Sequence, residues 1–365
     1  MSMKKISSVL GAAAFGFLIF LCAFFFLVYP GETAKNVSAG LTLCLKTVIP
    51  SLFPFMVLSD IFTSSIFCEK LSRLLGKATK FLFNLSPFCS SAVLISAVGG
   101  YPLGAFTARR LFENGEISQD DFKRLLLFSV LPSPSFAVGA VGVSMLGSKE
   151  AGFLIYFSVL ISSLLIGIFS RLTVFSGTKV IHFQKLPYLK KGSLFLISSS
   201  IKNSGSSMLF ICFSILFFSA VLSVTDSFFP SDSTKMFFAS LLEVTCGCKR
   251  ICGSLPLPAI AGVIGWGGLC THFQIMNEVA ASELSAAVFL VFRILHGALS
   301  SVFCLAFLKF FPIPIETFAA KAAENVSLSS GSSLSFSLCL VAMSVLLLLG
   351  NNFAVEGRKC SNKIT

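Results

Sequence analysis

Ser96-Ala-Val-Gly-Gly-Tyr-Pro-Leu-Gly-Ala-Phe106 breaks an apolar run with Gly99, Gly100, Pro102 and Gly104. Glycine admits backbone conformations closed to other residues, and proline removes a donor, so a plain membrane-spanning helix does not suit this stretch. A re-entrant hairpin does. The backbone groups freed at its tip must be buried in protein or line a cavity, because lipid cannot satisfy them. Arg109 and Arg110 follow, then the turn Glu113-Asn-Gly-Glu116 and a second break at Pro132-Ser-Pro134-Ser135. Broken helices of this kind are where transporters bind their solutes.

Composition agrees with a membrane setting. The chain has 365 residues, 55% hydrophobic and only 12% charged, with 42 Phe. Its mean hydropathy is +0.89. Soluble domains carry about 25% charged residues, and a run of roughly 18 apolar residues crosses a bilayer. The sequence therefore predicts an all-α polytopic membrane protein. A net charge of +12 raises nucleic acid as a partner. The Lys and Arg instead fall in short loops between apolar runs, as the positive-inside rule requires, so no nucleic-acid partner is expected. The bilayer is the expected surrounding, and homo-oligomerisation stays open.

Working outward, residues 6–29 form an expected first span, retained rather than cleaved, with Lys4 and Lys5 inside and Pro30-Gly31 ending it. The span at 37–67 holds Pro50 and Pro54 and should be kinked or split. Lys70, Arg73, Lys77 and Lys80 then place the chain on the cytoplasmic side. Ser118, with Asp121 three residues on, predicts a capped helix start. Further spans are expected at 125–146, 152–175, 194–224, 258–279, 285–311 and 334–349. A second broken apolar stretch covers 236–255. The total is about eight transmembrane helices plus two re-entrant hairpins, with both termini cytoplasmic.

The order of elements repeats. Residues 37–175 run span, hairpin, broken span, span, and 194–311 run in the same order from the opposite side. That is an inverted repeat, common in secondary transporters. The expected organisation is an N-terminal helix at 1–36, a first repeat at 37–175, a basic cytoplasmic linker at 176–193, a second repeat at 194–311, and a helix with basic tail at 312–365.

Candidate site residues lie beside the breaks. Tyr101 sits at the first tip, and Ser133 and Ser135 offer hydroxyls at the second break. Glu243 lies in an apolar setting, where a carboxylate is costly. It either pairs with Lys249 or Arg250, or snorkels from a helix end. Gly267-Gly-Leu-Cys-Thr-His-Phe-Gln274 puts Thr271, His272 and Gln274 beside Gly267 and Gly268. They either bind a polar solute or relay a proton, or they are satisfied between packed helices. Gly247 marks the second tip. Arg293 and His296 share a helical face, as an anion clamp or in an ion pair with Glu278 or Glu283. Cys246, Cys248 and Cys252 lack zinc-knuckle spacing, and no metal or cofactor is expected. The Gly99–Gly104 run lacks the Lys-Ser/Thr of a phosphate loop, and no nucleophile with a base and orienting acid is evident, so an enzyme is not expected.

Ile49-Pro-Ser-Leu-Phe-Pro-Phe55, Gly100-Tyr-Pro-Leu-Gly-Ala105, Glu113-Asn-Gly-Glu-Ile-Ser118, Glu243-Val-Thr-Cys-Gly247 and Gly267–Gln274, in this order, resemble the sporulation integral membrane protein YlbJ family. That family belongs to the nucleoside recognition, or Gate, group. The resemblance implies a multi-pass bacterial inner-membrane protein needed during spore development, with a transporter-like core that moves or senses a small polar solute. The alternative is a structural or assembly factor for the spore envelope, without transport. Relatives tend to carry an Asn-rich segment with Gly-Pro after the counterpart of Leu127-Phe128. This chain has Ser129-Val-Leu-Pro-Ser-Pro-Ser-Phe136, which keeps the break without the amides.

Overall fold

The computed structural model describes residues 16–17, 19–63, 65–172 and 193–313. The expected last span, nearly all of the basic linker and of the tail, and the first part of the first span lie outside these residues. Among the described residues every regular element is helical.

The first described helix, α1, covers Ile19–Val28. The first helix ends at Val28, just before Pro30-Gly31, as the sequence predicts, and Pro30 also opens the next helix. It takes the first helical position of α2 (Pro30–Leu43), where its missing N–H costs nothing. The expected kink is present. A π-helical turn, Cys44–Val48, joins α2 to α3 (Ile49–Thr63), and the two arms meet at 52° around Pro50 and Pro54.

The basic stretch that follows is a helix, α4 (Ile66–Phe83). Its C-terminal carbonyls at Phe83 and Asn84 accept from the buried Arg124 guanidinium. The hairpin then forms as α5 (Cys89–Gly99) and α6 (Leu103–Glu113), turning at Gly100-Tyr-Pro102. Its arms approach closely: a Cβ on Gly104 would lie 2.6 Å from Ser96 Cβ.

Ser118 caps α7 (Gln119–Phe128). Its hydroxyl accepts from Asp121 N, while the Asp121 carboxylate accepts from Ser118 N. Ser118→Ala is expected to cost about 1 kcal/mol, read as a lowered unfolding temperature. After the break, a π-helical segment (Ser135–Met145) runs to α8 (Lys149–Phe169). Gly142 and Gly152 let these two meet at backbone distance.

The second half starts with α9 (Ser193–Phe228). A second hairpin follows, α10 (Asp232–Leu242) and α11 (Val244–Ile251), turning at the extended Glu243. Its close pass joins Gly247 to Ser240, where a Cβ would come 2.5 Å from Ser240 Cα. The broken span is α12 (Leu257–Trp266), α13 (Gly268–Gln274) and α14 (Met276–Ala281), and α15 (Ala286–Phe310) closes the half. Gly262 and Gly265 of α12 pack on Gly297, Ser300 and Ser301 of α15. Small residues at such seams let helix backbones approach without a hydrophobic drive in lipid.

Both halves run long or bent helix, hairpin, broken helix, long helix, with α4 an addition to the first. Among the described residues three helices, Lys149–Leu172, Leu194–Phe228 and Ala286–Phe310, are long and apolar enough to cross a membrane, four if the bent pair α2–α3 is counted as one span. A chain of ion pairs joins the halves at one end. Asp60 holds Arg110 at 2.9 Å, and Arg110 and Arg109 both reach Glu113. Arg109 also lies 3.8 Å from Glu278 of α14.

Candidate functional site

Each hairpin tip seats in the break of its own half, and a glycine makes each fit. Gly100 has φ +84°, and a Cβ there would lie 2.6 Å from Ser133 N. Gly268 has φ +78°, and a Cβ there would lie 2.8 Å from Val244 N, beside Glu243. Tip one therefore touches break one, and tip two touches break two. The positive φ is open to glycine and strained for other residues.

The breaks expose carbonyls that side chains satisfy one by one. In the first, Phe128 O accepts from Ser163 Oγ, Ser129 O from Ser96 Oγ at 2.7 Å, and Val130 O from Arg293 Nη1 at 2.9 Å. In the second, Gly265 O accepts from Arg293 Nη2, and Trp266 O from His272 Nε2 at 2.8 Å. Trp266 Nε1 donates in turn to Leu241 O at the end of α10. Arg293 is fully buried on α15 and grips both breaks with one guanidinium. The C-terminal ends of two half-helices, α7 and α12, converge on its charge, which suits the negative ends of their dipoles.

This corrects two expectations. Arg293 neither pairs with Glu278 or Glu283 nor lies open as an anion clamp. Glu278 faces Arg109, and Glu283 faces Lys123. Glu243 pairs with neither Lys249 nor Arg250. Its buried carboxylate caps α11, accepting from Thr245 N at 3.1 Å and Cys246 N at 2.6 Å. Arg250 is held by Asp226 through two bonds of 2.6 and 2.7 Å. Both expectations weighed charge against charge, whereas the unmet demand lay in backbone groups at helix ends.

Of the sequence-derived candidates, Tyr101 and His272 come together with Arg293 around Gly267. A Cβ on Gly267 would lie 3.7 Å from Arg293 Nη2, 3.8 Å from Tyr101 Cε1 and 4.0 Å from His272 Nε2. Glu243 is adjacent through Gly268. Thr271 and Gln274 are buried on α13, and Gln274 Nε2 donates to Cys270 Sγ. Ser133 Oγ accepts from Phe136 N, and Ser135 is exposed, outside the cluster.

The cluster has a defined polarity. His272 Nε2 must carry a proton, because a carbonyl can only accept, so Nδ1 of the neutral ring is an acceptor. Tyr101 Oη, Arg293 Nε and His272 Nδ1 are all buried and take no hydrogen bond from protein. The side chains that gather around Gly267 thus carry a phenol, a guanidinium donor and an imidazole acceptor that the protein leaves unpaired. Reading the sequence for side-chain pairs missed Arg293 as the centre. The available signal was an arginine inside an apolar run, Phe292-Arg-Ile294.

Paired hairpins seated in paired helix breaks define this helical membrane protein. Residues 45–149, from the π-helical turn before α3 to the first residue of α8, match the Gate family, described as nucleoside recognition. The chain is also similar to the sporulation integral membrane protein YlbJ of Bacillus subtilis (strain 168), 22% identical over 350 residues, 85% of each chain. The resemblance carried by the ordered motifs is borne out. No solved structure matches significantly.

Proposed function

We propose that the protein recognises a small polar solute at the Tyr101–His272–Arg293 cluster and moves or senses it across the membrane during spore development. A buried polar atom without a protein partner costs free energy, which a bound solute would return. Three such atoms, on side chains that surround Gly267 where both breaks meet, are the observation that carries this reading. The three side chains offer donors and an acceptor. That combination suits an uncharged solute with adjacent donor and acceptor edges, as a nucleobase has. The Gate family's description is in keeping with such a solute. The relative's name supports the sporulation setting. In this reading the remaining spans bring the total to about eight, the halves cross in opposite senses, and both termini lie inside a bacterial inner membrane.

The test uses the full chain in lipid nanodiscs, screened by thermal stabilisation against nucleosides, nucleobases, sugars and amino acids. One solute class is expected to stabilise it. Tyr101→Phe removes only the hydroxyl and should weaken that effect by roughly tenfold, with the solute-free unfolding temperature unchanged. If no solute stabilises the protein, and cells carrying Tyr101→Phe or His272→Asn sporulate as wild type, the assignment fails.

A further inference from the structure

Helix α4 carries two parallel ridges that no part of the solute site uses. Arg73, Lys77 and Lys80, spaced four and three apart, share one ridge. They line a cleft of about 390 Å³ against Pro87 and Phe88. Among the described residues no carboxylate lines this cleft. The neighbouring ridge is apolar and open: Leu74 is 76% exposed and Phe81 78% exposed. The cleft is held by packing, since Gly76 admits Pro87 where a Cβ would come within 2.6 Å of Pro87 Cβ. Arg124 fixes the far end of the helix.

A helix with cations along one side and exposed apolar residues along the next lies in a membrane interface, with the chains of its cations reaching for headgroups. We propose that α4 is a binding site for an anionic phospholipid. The phosphate would sit in the cleft against Arg73, Lys77 and Lys80, and the acyl chains would cover Leu74 and Phe81. The joined apolar ridge favours a lipid over a soluble phosphate, which would leave it bare. The cationic lining favours an anionic headgroup over a zwitterionic one.

The full chain, purified in mild detergent, can be tested by native mass spectrometry with phosphatidylglycerol or phosphatidylcholine of matched chains. Phosphatidylglycerol adducts should dominate and should survive excess inorganic phosphate. The combined variant Arg73→Gln, Lys77→Gln, Lys80→Gln should lose them by roughly fivefold or more. Lys149→Gln with Lys235→Gln, elsewhere on the surface, should not. If the combined variant unfolds at a lower temperature, Lys77→Gln and Lys80→Gln alone should each show a partial loss. Equal retention of both lipids, displacement by inorganic phosphate, or unchanged binding in the variants would overturn the proposal.

Discussion

Arg293→Met is expected to lower the unfolding temperature of the detergent-solubilised protein by roughly 5 °C. The side chain it replaces donates to Val130 O at one break and to Gly265 O at the other, with Trp266 O at 3.5 Å. Methionine fills similar space and donates nothing. Each carbonyl left buried without a partner costs about 1–3 kcal/mol, so a loss of about 3–5 kcal/mol is expected. For a chain of this size that corresponds to a shift of the order stated. Arg293→Lys should recover only part, because an ammonium cannot span both breaks as the planar fork does. An unfolding temperature within about 2 °C of wild type for Arg293→Met would show that the strap contributes little.

The second large effect concerns the glycines at the tips. Gly100→Ala and Gly268→Ala should each destabilise by about 2–4 kcal/mol, through a positive φ and a clash with backbone rather than with a flexible side chain. The two lie in different halves and should behave alike, since each seats a hairpin tip in a break. Gly205→Ala is the contrast. A Cβ there meets nothing within 4 Å, in the helical interior of α9, and should stabilise by roughly 0.5–1 kcal/mol. Chemical unfolding of the three variants decides the matter. Equal behaviour of all three would remove the case for tip-in-break seating.

What was legible in the sequence was local. Ser118 and Asp121 predicted their own cap because the bonds form within one turn. Gly100, Pro102 and Gly267 marked the breaks because backbone freedom is a property of the residue itself. Glu243 was rightly picked out as costly, but its partners are N–H groups two and three residues away, which a search for opposite charges passes over. Arg293 and Val130 are 163 residues apart. Nothing in either segment points to the other until both breaks are placed in space. The tip-to-break seating is long-range in the same way, and only its components could be read in advance.

The ion-pair chain through α6 has a consequence for how the halves stay together. Arg109 and Arg110 are each more than a third exposed, so their bridges to Asp60, Glu113 and Glu278 feel the surrounding electrolyte. At physiological ionic strength charges beyond about 8 Å are screened, and added salt loosens exposed pairs further. The Arg293 bonds lie beyond the reach of ions. Among the contacts that join the halves, the Arg109–Glu278 pair is therefore sensitive to ionic strength and the Arg293 bonds are indifferent to it. A rise in salt would loosen the α6–α14 end while α15 keeps its hold on the first break.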